Sequence, residues 1–542
     1  MKRLDPQEVM SALNLPAAWA GRSHYVFVLG DIDQLLAMLL VCQTWHKDPH
    51  RPRSLHFICA PPSWKPFDSW WALARERVPE LINRVWISAL EAGWPIDVPG
   101  VQRTELDGYA VTLTWCFGEQ VKAEALGVRA DNVLSGFDQR LGNRGERWRL
   151  NELQPVEPVD CHPWSWSARA PDPRQALVVG AGFAGMGVAH SLARRGWRVT
   201  VVDRGWQTDG KHVHTNHLAA ALTPVASKDD NVRARLSRAG ALCASQRWMH
   251  LREPVVSRCG ALQLQRSTGR TKPLDEVVGA LGWSPQWISH VTAEQASDMA
   301  GVRLSAGGIW YPFGSTVRPG LFIDALSQTP GVTVIPFDVH RIRRENGRWQ
   351  VLNPQGHTME APLMVMANAG GIRTVLSNSE LWPKQGRLSH MHALAGQITM
   401  IPARWLGGGP RCIVGGEGYV LPEVEGWCVS GGTYVRDAVQ AEITEKGVQE
   451  NLSRASALLS LPKDLQCPPA THLPGWAGWR SVLPGRLPAI GPLEGQDGLW
   501  IATGYASRGL TWSALAGELI AGYLEAEPLL LDQSILKEIK PI

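Results

Sequence analysis

Three glycines and an aspartate, at spacings that suit one kind of ligand, carry the first chemistry that can be read from this chain. The stretch ALVVGAGFAGMGVAHSLARRGWRVTVVD, from Ala176 to Asp203, sets Gly180, Gly182 and Gly185 in a Gly-x-Gly-x-x-Gly turn. Gly180 permits the turn, Gly182 lets backbone N–H groups approach a pyrophosphate, and Gly185 lets a helix pack closely on a strand. Asp203 closes the next apolar run, where a carboxylate accepts both ribose hydroxyls of an adenosine and disfavours a 2′-phosphate. The elements that must position these residues follow from the pattern: a strand over Ala176–Val179, a helix of small residues ending at Arg195-Gly196, and a second strand ending at Asp203. The phosphates would sit at the positive end of that helix. An adenine dinucleotide is predicted, and the motif alone does not choose FAD over NAD.

The rest of the chain bounds the answer. At 542 residues it is too long for one hydrophobic core, and two to four domains are expected. Hydrophobic content of 44% against 19% charged residues describes a globular protein, and no apolar run is long enough to span a bilayer. The N-terminus, MKRLDPQEVM, lacks the apolar core of a signal peptide, so a cytoplasmic protein is expected, with no membrane partner. The nine cysteines are scattered without close pairs, which predicts reduced thiols and no metal site. A net charge of +4 does not by itself argue for nucleic acid. Arg194, Arg195, Arg198 and Arg204, and again Arg233, Arg235 and Arg238, form local clusters that read either as solvated faces or as phosphate contacts. Most of the 25 tryptophans are expected to pack.

Residues 1–151 alternate apolar runs with helical stretches, which predicts an α/β domain of its own. Strands are expected at Tyr25–Leu29, Leu55–Ala60, Val111–Phe117 and Asn132–Leu134, with a helix at Asp33–Trp45. A cofactor of such a domain would bind at the turn after the first strand, which here reads Gly30-Asp31-Ile32-Asp33-Gln34, with one glycine and two acids. The second strand runs into Ala60-Pro61-Pro62, with no carboxylate for a ribose. Prolines at 155, 158, 163, 171 and 173 mark a linker over 152–175, and residues 176–542 form the remaining domain.

Within that domain the run after Asp203 contains a small-residue loop, Ala219 to Leu222 with Pro224, suited to lie beside a flat ring system. Strand character follows at Cys259–Leu264, Val332–Ile335, Phe337–Arg344 and Leu363–Ala367, the last leading into Asn368-Ala369-Gly370-Gly371. Near the end, Leu499–Thr503 meets a second glycine turn, Gly504 to Gly509, and a helix over Thr511–Leu524 whose N-terminus would stabilise negative charge on a reduced flavin. A chain that leaves its nucleotide domain for a substrate sheet and then returns fits FAD better than NAD.

The order from Gly180 to Leu510 resembles the FAD-dependent amine oxidases of the glycine oxidase, sarcosine oxidase and D-amino acid oxidase type. More closely it resembles the MnmC family, two-domain bacterial enzymes that finish 5-methylaminomethyl-2-thiouridine at the tRNA wobble position. The residues that carry this are SKDDN (Ser227–Asn231), GEGYVLP (Gly416–Pro422), GGTYVRD (Gly431–Asp437), PGRLPAIGP (Pro484–Pro492) and SRGLTWSALAGELIA (Ser507–Ala521), with fainter matches such as HKDPHRPRSLHFI (His46–Ile58) in the front.

The resemblance implies an α/β protein with a Rossmann-like methyltransferase-type domain in front. A two-part FAD-binding Rossmann domain with an inserted antiparallel substrate sheet would follow it. Cofactor contacts are implied at the glycine turn and Asp203, at Arg204, Ala221, Leu222 and Val339, and at Gly504, Ser507, Gly509 and Leu510. The implied reaction oxidises a carboxymethylaminomethyl group on the wobble uridine to aminomethyl. Its carboxylate tail calls for a cationic fork, for which Arg480 and Arg508 are the candidates, with Tyr434 assisting by a hydrogen bond. The tRNA anticodon region is the implied partner, and a monomer is expected. The front domain departs from the family's Gly-x-Gly-type turn and from its Asp-Gly-Phe segment, here Ser135-Gly136-Phe137, so impaired binding of S-adenosylmethionine is expected. Two other readings share the motifs: an oxidase of a free glycine-like amine, and a tRNA-binding protein without catalysis.

Overall fold

The computed structural model describes residues 6–75, 83–118, 126, 131–134, 171–248, 250–251, 253–266, 272–461 and 473–542. The Ser135–Phe137 segment and most of the 152–175 linker lie outside the described residues. Contacts divide the chain into two compact units. The front unit takes Met1–Ser165 together with Gly522–Leu536, and the second takes Trp166–Ala521 with Lys537–Ile542. The inclusion of 522–536 in the front unit has no counterpart in the linear division at 152–175.

The front unit is built on a five-stranded sheet. Its strands His24–Leu29, Ser54–Cys59, Val111–Phe117 and Asn132–Leu134 run parallel, as their apolar runs predict, and Leu35–Lys47 supplies a helix buried along most of its length. A fifth strand, Gly100–Asp107, pairs antiparallel with Val111–Phe117 and has no apolar signature. Its buried polar residues, Gln102, Arg103 and Thr104, each have a fixed partner. The Gln102 amide bonds the backbone of Ile96 at both ends. Arg103, 4% exposed, pairs with Glu527 at 3.0 Å and also donates to the Pro528 carbonyl. The ion pair of Arg53 with buried Glu525 adds a second tie to the same C-terminal segment.

The second unit contains the predicted two-part arrangement. A six-stranded sheet runs in the order Val332–Pro336, Arg198–Asp203, Gln175–Val179, Leu363–Met366, Leu499–Thr503 and Ala489–Pro492; the first five are parallel and the last is antiparallel. Successive strands diverge from Gln175–Val179 in opposite directions, which opens a crevice at the carboxyl ends of the strands. The substrate sheet has nine strands and is mixed rather than purely antiparallel, because Ala261–Leu264 pairs parallel with Ile413–Gly416. The expected strand over Phe337–Arg344 begins only at Arg341.

Three helices behind the crevice pack backbone to backbone. A methyl group on Gly187 of Phe183–Ala193 would collide with the Ser513 carbonyl, one on Gly517 with the Gly187 carbonyl, and one on Gly240 with the Thr511 carbonyl. Beneath them lies Glu518, 2% exposed, whose carboxylate receives Arg195 and Arg247, each at 2.9 Å. Arg195 is therefore neither a solvated nor a phosphate-binding residue. Arg238 is likewise buried, held bidentately by Asp230 at 2.7 and 2.9 Å and stacked over Trp283. The tryptophans behave as packing residues, with Trp197, Trp248, Trp349, Trp500 and Trp512 fully buried in this unit. No helix among the described residues is long and apolar enough to cross a membrane, and no cluster among them could hold a metal ion.

Removing Glu518 takes from two buried guanidinium groups the carboxylate that both contact. Glu518→Ala is expected to destabilise the second unit by on the order of 3–5 kcal/mol, seen as a lowered unfolding midpoint; an unchanged midpoint would contradict the triad's structural role.

Candidate active site

The crevice is shaped by glycines at positions where no other residue fits. Gly180 ends its strand at φ +108°, and a Cβ there would meet the Ala367 carbonyl oxygen at 2.7 Å. One on Gly185 would overlap the Gly180 carbonyl, whereas Gly182 has nothing within 4 Å and faces open space. Gly182 caps the Phe183–Ala193 helix without a side-chain hydrogen bond, so the first-turn N–H groups are available to an anion. Asp203 organises this turn: Oδ2 accepts from Ala181 N at 2.7 Å and Oδ1 from Gly205 N at 2.6 Å. Two buried polar atoms nearby, Asn368 Oδ1 and Ser481 Oγ, have no hydrogen-bond partner. The second turn brings Gly504 at φ +75° and a helix, Gly509–Leu524, whose first residue lies against the Phe183 ring. Two converging helix N-termini, an open glycine and orphaned polar atoms fit an adenine dinucleotide.

The remaining predicted contacts fall into different settings. Leu222 and Leu510 are buried, and Ala221 lines the cavity described next. Val339 is half-buried and packs on the core beside the parallel sheet. Arg204 and Ser507 are exposed, each in the turn that follows its strand.

A cavity of about 590 Å³ opens against this crevice, with Arg508, Tyr311, Tyr419 and Tyr434 among its walls. Arg508 donates from Nη1 to the Thr223 carbonyl at 2.8 Å; burial, with Arg233 nearby, pulls its pKa down to about 10. The Tyr311 hydroxyl accepts from Ala226 N at 3.2 Å. Burial pushes the phenols of Tyr311 and Tyr419 up to about 12. Arg480 is placed behind the wall rather than on it. It donates from Nη1 to the Thr433 carbonyl at 3.0 Å, lies 4.6 Å from the centre of the Tyr434 ring, and occupies space kept open by Gly396 and Gly432. Tyr434 itself is 56% exposed at the mouth. Among the described residues, neither Arg480 nor Arg508 has a carboxylate partner. Tyr311 and Tyr419 lie within stretches the sequence marks as strands and loops, and only their convergence on Arg508 and Arg480 singles them out.

SKDDN proves to be a helix start: Asn231 caps Val232–Arg247 by accepting from Ala234 N at 3.1 Å. The loop before it carries a stack the sequence does not announce. His214 lies on Phe183 at 4.5 Å between ring centres, and His217 on Trp476 at 4.1 Å. The two imidazoles approach at 3.3 Å, and Trp476 Nε1 donates to the Val213 carbonyl at 2.8 Å. Burial, then the neighbouring His212, lowers the pKa of His214 to about 4, and burial also lowers that of His217 well below the ordinary imidazole value.

Residues 175–523 match the family of FAD dependent oxidoreductases. Along its length the chain is similar to the tRNA 5-methylaminomethyl-2-thiouridine biosynthesis bifunctional proteins MnmC of Cupriavidus necator and Azoarcus sp. strain BH72. Each is 30% identical over 97% of this chain and 91% of the relative. Among solved structures, glycine oxidase from Geobacillus kaustophilus superposes with a TM-score of 0.54 at 20% identity, over 68% of this chain and 99% of its own. Fructosamine oxidase from Aspergillus fumigatus (Amadoriase II) does so at 0.54 and 18%, over 68% and 89%. These structural likenesses establish the fold of the second unit.

The low imidazole pKa values have a measurable sign. With the folded value of His214 at about 4 against 6.5 for the free group, the unfolded chain binds more protons between those values. Stability is therefore expected to fall as pH drops from about 6.5 towards 4, and His214→Gln should flatten that part of a melting-temperature profile; an equal slope in the variant would refute it.

Proposed function

Because the chain belongs to the FAD dependent oxidoreductases through residues 175–523 and, along its length, to the MnmC family, we propose that it modifies the wobble uridine of tRNA by an FAD-dependent oxidation. The substrate in this reading is 5-carboxymethylaminomethyl-(2-thio)uridine and the product is 5-aminomethyl-(2-thio)uridine. The observation that carries it is the pair of guanidinium groups without acid partners, Arg480 and Arg508, near Tyr434. For Arg508, whose pKa burial lowers, a missing counter-ion is costly, and a substrate carboxylate supplies one. The glycine turn, Asp203 and the Gly509 helix start would hold FAD, which when bound would supply the two-electron oxidation of the CH–NH bond.

The protein's own residues do the rest. In this reading Arg508, on the cavity wall, seats the carboxylate and Arg480 supports it from behind Tyr434, which fixes the carbon between carboxylate and amine. That carbon loses a hydride only when the amine is neutral. The Tyr311 and Tyr419 phenols stay protonated at neutral pH, so they donate hydrogen bonds and take no proton. Water then cleaves the resulting imine, leaving the aminomethyl base and a two-carbon aldehyde acid.

In this reading the front unit binds S-adenosylmethionine poorly, and its own contacts support that. The Gly30 N–H that would face the ligand already donates to Gln34 Oε1 at 2.8 Å, and Asp33 is engaged by Lys65 at 3.3 Å. The second strand ends at Cys59 without a carboxylate. A conversion of aminomethyl to methylaminomethyl is therefore not assigned to this unit.

Nucleoside mass spectrometry on a deletion strain should show carboxymethylaminomethyl nucleosides accumulating; unchanged levels would sink the tRNA reading in favour of a free amine substrate. Arg480→Ala should raise the KM at least tenfold with flavin absorbance retained, and an unchanged KM would reject its role. Calorimetry of the whole protein with S-adenosylmethionine should give no binding heat, and a tight isotherm would restore the methyl donor.

A further inference from the structure

The cavity carries more positive charge than one carboxylate can use. Three arginines line it, and they are not equivalent. Arg508 lies deep, bound to the Thr223 carbonyl. Arg454 is spent within the protein, on Glu450 at 2.5 Å and on the Gly432 carbonyl at 2.8 Å. Arg266 is exposed, and no carboxylate among the described residues pairs with it.

Its backbone is nevertheless held beside the cavity. It follows directly on the buried Ala261–Leu264 strand, which is paired on both sides within the substrate sheet. Gln265, next to it, pins the local backbone, accepting from Leu274 N at 2.8 Å and donating to the Arg266 carbonyl at 3.5 Å. A glycine-like amine brings one anionic group, which Arg508 on the cavity wall takes in this reading. A second available cation on the cavity wall calls for a second anion on the same substrate. A nucleoside within an RNA strand has one, the backbone phosphate, and exposed arginines contact such phosphates without reading sequence.

The geometry points to Arg266 as a phosphate contact that lets this oxidase select a target carried by RNA over a free amine. It rests on the tRNA reading and adds a specificity residue to it. The residue touches the RNA backbone, not the reacting atoms, so it acts on affinity and its salt dependence.

The test uses the full-length holoprotein and an anticodon stem-loop RNA, with binding followed by fluorescence anisotropy from low to moderate salt. Arg266→Ala should weaken binding roughly threefold to tenfold and reduce the log–log salt slope by about 0.7–0.9, with the flavin spectrum unchanged and Arg266→Lys restoring most of both. Equal affinity and slope in wild type and Arg266→Ala would overturn the assignment while leaving the tRNA reading intact. A wild-type protein that binds no RNA would remove the reading and the assignment together. A loss on Arg266→Ala confined to iminodiacetate, a small substrate with two carboxylates, would also overturn it by giving the arginine to a second carboxylate.

Discussion

Parallel helices that begin at the same place bring two positive ends together, and something must hold them there against their repulsion. In the second unit the Phe183–Ala193 and Gly509–Leu524 helices run side by side in register: Phe183 meets Gly509, Gly187 meets Ser513, and Ser191 meets Gly517. Glycine at 187 and 517 removes the side chains that would separate the axes, so dispersion and backbone contact replace ordinary ridge-and-groove packing. At the far end Glu518 gathers Arg195 and Arg247 into one buried cluster, and the two cations also complement the negative ends of their own helices. The positive ends are left aimed into the crevice, where a dinucleotide's phosphates and a reduced flavin's charge are the natural counterweight. Cofactor binding and helix packing are in this sense one electrostatic arrangement.

The substrate side is organised by the same logic with side chains instead of helix ends. Arg480 threads between two glycine positions to lie under Tyr434, so its direction is set by backbone shape and by a ring face. Arg508 is set by a single carbonyl and by burial. Cations restrained in this way lose little entropy on meeting a carboxylate, which favours orientation as much as affinity.

What the sequence revealed follows a physical division. The glycine turns were legible because steric requirements at Gly180, Gly185 and Gly504 admit almost no alternative, and each such position leaves its mark in the chain itself. The Arg480 and Arg508 segments were found through their glycine flanks, though nothing local indicated that Arg480 sits behind Tyr434. Arg195 and Arg238 were misjudged as surface or phosphate residues because their partners, Glu518 and Asp230, are chosen by the fold. The Gly100–Asp107 strand escaped notice for a related reason: its buried polar residues are satisfied by groups elsewhere, so period and polarity mislead together. The histidine stack was invisible because stacking depends on where Phe183 and Trp476 arrive, and neither neighbours the histidines in sequence.

The front unit's dependence on Gly522–Leu536 also has a meaning in time. Arg103 and Glu527 are 424 residues apart in the chain, and both are buried in the finished unit. During synthesis the guanidinium is made long before its carboxylate, by on the order of tens of seconds at ordinary elongation rates. Until then the polar strand at 100–107 lacks the carboxylate that pairs with Arg103 in the finished unit. The front unit therefore cannot be completed until nearly all of the second unit has been translated.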